Sequence, residues 1–364
     1  LHCCAAKGQF GVSKSIHAVV IGASGYVGGE LLRLLANHPN FELAAAVSDS
    51  RAGSSISDTF AHLSQVLGDT KFVARDQWSN AILDGSNVAL FSAAPHGASA
   101  ETIADALARA NSKDLQVRIV DSSADFRYAK QNTWESVYGA KHGAPQLLDQ
   151  FTCAVPEHLA TINTPHVGHP GCFATATLLA AVPLMRSGLS ESDLFVAGVT
   201  GSTGSGRSPQ TGTHHPERNS NMYAYKPLNH RHSPEVAALA AAASGRKTNL
   251  HFVPHSGPFA RGIHVTLQAK AKSSVTEEQL RRIFVDAYVD SPFVEVVAGT
   301  PKLKNVVASN MCHLSVASDG DSIVVLSAID NLVKGAAGGA IQWMNRLWDL
   351  PETAGLTAAP PGWT

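Results

Sequence analysis

The amino-acid sequence predicts an α/β protein that contains a doubly wound parallel sheet and a second domain. The first observation is a short apolar strand that runs directly into a glycine-rich turn and an amphipathic helix. The second is the alternation of strands and helices that follows, which is typical of a parallel sheet whose ligands bind at the carboxyl ends of its strands. The third is the length of 364 residues, which exceeds what one hydrophobic core usually covers.

Composition limits the classes of partner. Charged residues make up 16% of the chain, apolar residues 44%, and the net charge is −1. We therefore expect no nucleic-acid partner, and no membrane partner because the apolar runs are too short to span a bilayer. Five scattered cysteines argue against a disulfide framework and for a reducing compartment. No spacing among them indicates a metal site, so no metal is expected.

Residues 1–15 contain no acidic residue and do not begin with Met. We interpret them as the remnant of a targeting segment or as a disordered N-terminus, and exclude them from the fold. The predicted location is the cytoplasm. A plastid or mitochondrion is the alternative if these residues are a transit-peptide remnant.

The first strand is predicted over residues 16–21, and the glycine turn follows it with GxxGxxG spacing. A helix is predicted over residues 30–37. In this order, glycines let the backbone approach a pyrophosphate that rests on the helix N-terminus. The candidate cofactor-binding residues in the turn are Gly22, Ser24, Gly25, Tyr26, Val27 and Gly28.

A second strand, predicted over residues 41–47, ends at the tetrapeptide SDSR. A carboxylate here, such as Asp49, is typical of NAD enzymes, whereas hydroxyls and an arginine suit the 2′-phosphate of NADP. We predict NADP(H), with Ser48, Ser50 and Arg51 around the phosphate. A solvated turn is the alternative for these residues.

Strands are next predicted over residues 88–93 and 117–120, with a helix over residues 98–110 between them. The turn that contains Pro95 follows the first of these strands and is expected to line the cofactor cleft. Arg127 lies just past the end of the second strand. It is therefore a candidate for binding an anion.

A Pro-Gly turn precedes Cys172, and small residues after it begin a helical pattern. At a helix N-terminus the helix dipole lowers the pKa of a thiol and makes it a nucleophile. The alternative is a buried, inert cysteine in a core helix.

From residue 151 onward we expect shorter strands and more turns, which predicts a domain boundary near residues 150–170. Cys172 would then lie between the domains.

Two polar segments follow. The glycine-serine loop 201–207 ends at Arg207 and is either a linker or an anion-binding loop. Residues 214–235 are rich in His, Tyr and Arg, which favours a site for an anionic substrate, although a solvated loop is the usual state of a lone histidine. A metal site is less favoured because no carboxylate or thiolate lies at ligand spacing. Later elements are predicted at 276–290 (helix), 322–329 (strand) and 330–345 (a small-residue helix).

Six motifs now form an ordered set: GASGYVG at 22–28, SADFR at 123–127, PGC at 170–172, GSTGSGR at 201–207, HRHSPE at 230–235 and DNLVKGAAGGA at 330–340. Together they resemble the N-acetyl-γ-glutamyl-phosphate reductase family of arginine biosynthesis, which is related to the aspartate-semialdehyde dehydrogenases. The resemblance spans residues 16–350. The family's usual NPGCYPT is HPGCFAT at 169–175, and the region 201–229 resembles a divergent branch of the family.

The resemblance implies an NADP-binding Rossmann domain over 16–170 and an inserted α+β catalytic and oligomerisation domain over 171–330. Residues 331–364 would form a helix returning to the Rossmann domain, and a tail. The implied assembly is a homodimer or homotetramer. The implied reaction is NADPH-dependent reduction of a small acyl-phosphate substrate, N-acetyl-γ-glutamyl phosphate, through a thioester. Alternatives are an N-succinyl or carrier-linked acyl phosphate, aspartate-semialdehyde dehydrogenase, and a non-catalytic NADP-binding sensor.

The resemblance also assigns roles to residues of this chain. Cys172 matches the nucleophile and His232 the acid/base. Residues that match contacts to the nicotinamide end of the cofactor are Asn331, Gly335 and Ala336. Arg127, His230 and Tyr225 match contacts to the substrate or its phosphate, with Tyr223 as the alternative to Tyr225. Ser202, Arg207 and His255 are our further candidates for substrate binding.

Overall fold

The computed structural model describes residues 16–363. The segment 1–15, for which we predicted a targeting remnant or disorder, lies outside the described residues. Within the described range, no helix is long and apolar enough to cross a membrane. The described residues form two seven-stranded sheets with helices packed against them.

The first sheet is parallel throughout, which confirms the predicted doubly wound sheet. Its strand order is β3-β2-β1-β4-β5-β7-β6. Most of its central strands are apolar runs because both faces of the sheet are covered. The strands are β1 (Ile16–Ile21), β2 (Phe41–Val47), β3 (Phe72–Val73), β4 (Asn87–Ser92), β5 (Gln116–Asp121), β6 (Phe151–Cys153) and β7 (His166–Gly168).

The second sheet is mixed, in the order β12-β13-β14-β11-β8-β10-β9. Its strands are β8 (Ser190–Thr200), β9 (Tyr223–Ala224), β10 (Asn249–Ser256), β11 (Ile263–Val275), β12 (Val294–Val296), β13 (Cys312–Ser318) and β14 (Gly320–Ile329). The predicted shortening of strands after residue 151 is wrong, because β8 and β11 contain 11 and 13 residues. Helices cover only one face of this sheet, so polar residues alternate with buried residues along its strands. In the sequence, these polar residues look like the polar residues of turns, and the strands therefore look shorter than they are.

The helices are α1 (Tyr26–Leu35), α2 (Ile56–Thr59), α3 (Ser64–Leu67), α4 (Ser99–Asn111), α5 (Gln131–Tyr138), α6 (Cys172–Ser187), α7 (His215–Arg218), α8 (His232–Ser244), α9 (Glu277–Ala287) and α10 (Gly338–Leu347). The first helix begins one turn earlier than predicted, because two glycines assigned to the turn lie inside it. A Cβ atom on Gly28 would be 2.5 Å from the carbonyl oxygen of Gly22. The absence of a side chain therefore lets the first turn of α1 pack against the glycine turn.

The C-terminal segment returns to the first sheet, as predicted. Residues of this segment, including Ile341, Trp343 and Met344, share one buried cluster with the strands of that sheet. The predicted helix over 330–345 is instead a π-helical turn, Val333–Ala337, followed by α10. The helical segment begins later than predicted because the Asp330 carboxylate accepts hydrogen bonds from the backbone N–H groups of Leu332 and Val333, at 2.7 and 3.0 Å.

The second core lies between the second sheet and the helices α6, α8 and α9. Helix α6 is buried over most of its length. The chain enters this helix directly from β7 of the first sheet. The residues that connect β7 to α6 therefore lie at the junction of the two sheets.

Candidate active site

Cys172 is the first residue of α6, as the Pro-Gly turn predicted. The preceding residue, Gly171, is the N-cap and has an extended backbone. The thiol therefore lies at the junction of the two sheets and opens onto a cleft between them.

The predicted lowering of the thiol pKa is wrong. Burial raises the pKa of Cys172, and this effect exceeds the opposing effect of the Arg127 guanidinium. A hydrogen bond from the backbone N–H of Phe173 also opposes it. The backbone N–H at the start of α6 and the charge of Arg127 thus only partly offset the cost of burying a thiolate. The Cys172 thiol is therefore protonated at neutral pH.

His232 is the first residue of α8, with 6% of its surface exposed. Burial, followed by the charge of Arg127, holds its pKa well below the usual value. Its Nδ1 atom has no hydrogen-bond partner among the described residues. A Cβ atom on Gly171 would overlap Nε2 of His232. A neutral imidazole beside the N-cap of α6 can accept a proton.

Arg127 is buried, with 5% exposed, and its guanidinium is already engaged. Nε donates to the carbonyl oxygen of His169 at 3.1 Å, and Nη2 to that of Ser122 at 3.3 Å. Nη1 donates to the carboxylate of Glu235 at 3.2 Å. The predicted anion-binding arginine therefore reaches the cleft with its charge already paired.

Glu235 was missed by the sequence analysis. Its carboxylate is fully buried, pairs with Arg127 and accepts a hydrogen bond from the backbone N–H of Gly171 at 2.7 Å. The available signal was its position three residues after His232 in the HRHSPE motif, on the same face of a helix.

A cleft of about 500 Å³ joins most of the predicted residues. The inserted domain and the β5 end contribute Cys172, His232, Arg127 and Arg207. The glycine turn contributes Gly25, Tyr26 and Val27, and the turn after β4 contributes Pro95. The C-terminal segment contributes Asn331, Gly335 and Ala336. Arg231, which the sequence analysis did not select, also lines this cleft.

Four predicted substrate-binding residues do not line that cleft. Ser202 lines an adjoining cavity of about 710 Å³, together with Arg207. The rings of Tyr225 and His230 are 5.6 Å apart, and the ring of His230 is 4.7 Å from that of His232. His255 lies in β10, paired with β9, and its Nδ1 is buried without a partner among the described residues.

The glycine turn fits a dinucleotide. Gly22 has φ +71°, and a Cβ atom there would overlap the carbonyl oxygen of Ala93. The N-cap of α1, Gly25, has no side-chain cap, and the first turn of α1 carries no acidic residue. The N–H groups at this helix N-terminus can therefore bind a pyrophosphate.

The end of β2 fits a 2′-phosphate better than a bare ribose. The hydroxyls of Ser24 and Ser48 share a hydrogen bond of 2.8 Å, and that of Ser50 lies 3.4 Å from Ser48. The Asp49 carboxylate instead accepts the backbone N–H of Arg75 at 2.7 Å. The hydroxyls of Ser48 and Ser50 and the exposed guanidinium of Arg51 are therefore available to bind an anion such as the 2′-phosphate.

The C-terminal segment closes the cleft beside Cys172. A Cβ atom on Gly335 would be 2.6 Å from the Cβ of Cys172. Asn331 accepts a hydrogen bond from the N–H of Gly262 at 2.7 Å and donates to the hydroxyl of Thr203 at 3.0 Å. Asn331 thus links the C-terminal segment to the loop at 201–207.

Comparisons with known proteins agree with this architecture. Residues 17–167 match the family model "Semialdehyde dehydrogenase, NAD binding domain", and residues 172–331 match "Semialdehyde dehydrogenase, dimerisation domain". Among solved structures, aspartate semialdehyde dehydrogenase II of Vibrio cholerae has a TM-score of 0.67 at 14% identity, covering 93% of this chain and 99% of that one. Aspartate semialdehyde dehydrogenase of Candida albicans, solved with NADP, has a TM-score of 0.63 at 15% identity, covering 92% of this chain and 98% of that one. These two similarities show a common fold.

The sequence relatives are closer. The chain is 39% identical to "N-acetyl-gamma-glutamyl-phosphate reductase" of Methanosarcina barkeri over 343 residues, covering 94% of this chain and 98% of the relative. It is 39% identical to the protein of the same name from Pseudomonas aeruginosa over 351 residues, covering 93% and 97%. Similarity at this level extends through both sheets and the cleft between them.

Proposed function

The chain belongs to the N-acetyl-γ-glutamyl-phosphate reductase family, and on this premise we propose that it reduces N-acetyl-γ-glutamyl phosphate with NADPH. The products are N-acetylglutamate semialdehyde, phosphate and NADP⁺. The observation that carries this proposal is the single cleft that joins Cys172, His232 and the glycine turn.

The first chemical step belongs to Cys172 and His232. The thiol is protonated at rest and the imidazole is neutral, so His232 is available to accept the thiol proton, although both pKa shifts oppose the transfer. The negative charge of the bound substrate favours a protonated His232 and so assists the transfer. The thiolate attacks the carbonyl carbon of the acyl phosphate. The bond from that carbon to the phosphoryl oxygen breaks, phosphate leaves, and a thioester forms on Cys172.

The second step regenerates the enzyme. When bound, NADPH supplies the hydride that reduces the thioester. Hydride addition leaves a thiohemiacetal alkoxide. As its C–S bond breaks and the semialdehyde carbonyl forms, His232 returns its proton to sulfur, and the released phosphate takes its proton from water. Gly335 and Ala336 bring the C-terminal segment against Cys172, which supports placing the nicotinamide end there.

Basic side chains hold the anionic substrate. Arg127, Arg207 and Arg231 line the cleft, and the substrate carries a phosphoryl group and a carboxylate. We assign these anions to the three arginines and the adjoining loop with Ser202. We assign a supporting role in this region to three further side chains. Tyr225 and His230 pack next to His232, and His255 lies in β10.

The test of the mechanism is Cys172→Ser. This change leaves the cleft and the glycine turn intact, so we expect normal NADPH binding by fluorescence titration and no measurable turnover. Cys153→Ser is the matched control, because Cys153 is also partly buried but lies outside the cleft. Near-normal activity of the Cys172 variant contradicts the thioester mechanism.

The substrate is tested with a panel of acyl phosphates in one NADPH assay. We expect the N-acetyl compound to give a higher kcat/KM than N-succinyl, carrier-linked and aspartyl phosphates. A higher value for any other member replaces the proposed substrate but keeps the reaction class.

We further propose a homodimer or homotetramer formed through the open face of the second sheet. The matched dimerisation family model over 172–331 supports this proposal, as does Phe195, which is 55% exposed on β8 and stacks on His251. The predicted compartment is the cytoplasm, or an organelle if residues 1–15 come from a transit peptide. Imaging of the tagged protein distinguishes these locations.

A further inference from the structure

Glu235 connects the two helices that carry the proposed nucleophile and base. We propose that Glu235 is a positioning residue, whose carboxylate fixes the N-cap of α6, the first turn of α8 and Arg127 in one arrangement. The part of this inference that concerns turnover rests on the proposed function. The part that concerns the reactivity of the thiol does not.

The two carboxylate oxygens have separate partners. Oε1 accepts the backbone N–H of Gly171 at 2.7 Å, and Oε2 accepts Nη1 of Arg127 at 3.2 Å. Gly171 directly precedes Cys172, and His232 lies three residues before Glu235 on the same face of α8. One side chain therefore links the start of the nucleophile's helix to the start of the base's helix.

The burial of Glu235 makes this link obligatory. The residue has 0% of its surface exposed, and a buried carboxylate must be paired and hydrogen-bonded to remain charged. Arg127 is equally dependent on the pair, because its guanidinium stays charged. A glutamine could still accept the Gly171 N–H, so only Arg127 requires the negative charge.

The charges around Cys172 predict a second, separable effect. Arg127 and Arg231 act to lower the pKa of the thiol, whereas the Glu235 carboxylate acts with burial to raise it. The remaining titratable neighbours are uncharged at neutral pH: the pKa of His232 is lowered, and that of Tyr225 is raised. Removing the charge of Glu235 should therefore make the thiol more acidic.

The experiment compares Glu235→Gln and Glu235→Asp with the wild-type protein. For the Gln variant we expect the pH profile of iodoacetamide alkylation at Cys172 to move to lower pH. We also expect kcat to fall by about tenfold to a hundredfold, since small displacements of reacting groups cost this much. For the Asp variant, which keeps the charge but is too short to reach both partners, we expect a similar fall in kcat and a profile close to wild type.

The control is Glu30→Gln, which removes another buried carboxylate, paired with Arg261 and Arg33 outside the cleft. It should lower thermal stability without moving the alkylation profile. A Gln variant with unchanged kcat, or with an unchanged profile, overturns the inference. If Gln does not fold, an Asp variant with wild-type kcat overturns it. A wild-type protein without reductase activity contradicts the proposed function instead, and the alkylation comparison is independent of that result.

Discussion

Arg51 and Asp49 show how neighbouring residues at the end of β2 can take different roles. Asp49 is held by Arg75, through the backbone N–H and a side-chain ion pair of 3.8 Å. Arg51 is exposed and has no side-chain hydrogen bond or ion pair among the described residues. The contacts thus favour the NADP interpretation of the SDSR turn over the NAD interpretation.

We predict that Arg51→Ala raises the KM for NADPH by about tenfold to a hundredfold. The lost charge-assisted hydrogen bond is worth roughly 1.5–3 kcal/mol, and about 1.4 kcal/mol is a factor of ten. NADH carries no 2′-phosphate, so its KM should stay within a small factor. Arg282→Ala, an exposed change on α9, is the control and should alter neither constant. Equal losses for both cofactors would show that Arg51 supports the loop instead.

Single residues also show where prediction from sequence stops. Cys172 could be selected because a Pro-Gly turn is visible locally, and His232 because the family resemblance matches it to the acid/base residue. The raised pKa of Cys172 could not, because it depends on how deeply the thiol is buried. Glu235 could not be paired with Gly171 because 64 positions separate them. Their contact exists only once both helices have packed.

At the scale of elements, strand positions were predicted more accurately than helix starts. Strands β1 and β2 have the predicted bounds, since a buried parallel strand is a short apolar run with turn residues at its end. The starts of α1 and of the C-terminal helix were wrong. Both are fixed by tertiary features, which are a glycine packed against the turn and the carboxylate of Asp330.

The π-helical turn Val333–Ala337 places Gly335 against Cys172, and this predicts the effect of Gly335→Ala. The added Cβ would be 2.6 Å from the Cβ of Cys172, so one of the two backbones must move. We expect kcat to fall by about tenfold or more, with a loss of about 1–3 kcal/mol in stability from overpacking. Steady-state kinetics and thermal unfolding measure these effects.

Gly299→Ala is the matched control for this change. No heavy atom lies within 4 Å of a Cβ built there, so activity and melting temperature should be unchanged. A Gly335 variant that keeps wild-type kcat would mean that the segment can retreat from Cys172 without consequence.

At the scale of the whole molecule, the second sheet is covered by helices on one face, and its other face includes the exposed Phe195. We predict that Phe195→Glu lowers the molecular mass measured by sedimentation equilibrium, because a charge on that face opposes burial against a second copy. Leu83→Glu, a change at an exposed apolar residue of the first half of the chain, is the control. An unchanged mass for the Phe195 variant would exclude this face as the interface.

The return of the C-terminal segment to the first sheet has a consequence for synthesis on the ribosome. Val20, Phe91 and Val120 of that sheet share a buried cluster with Ile341 and Trp343. The residues that cover this face are therefore translated after both sheets. Although N-terminal domains usually fold first as the chain emerges, the cofactor-binding half of this protein keeps an apolar face uncovered until nearly the whole chain has been made. The half that contains the first sheet is consequently completed after the half that contains the second sheet, although it comes first in the sequence.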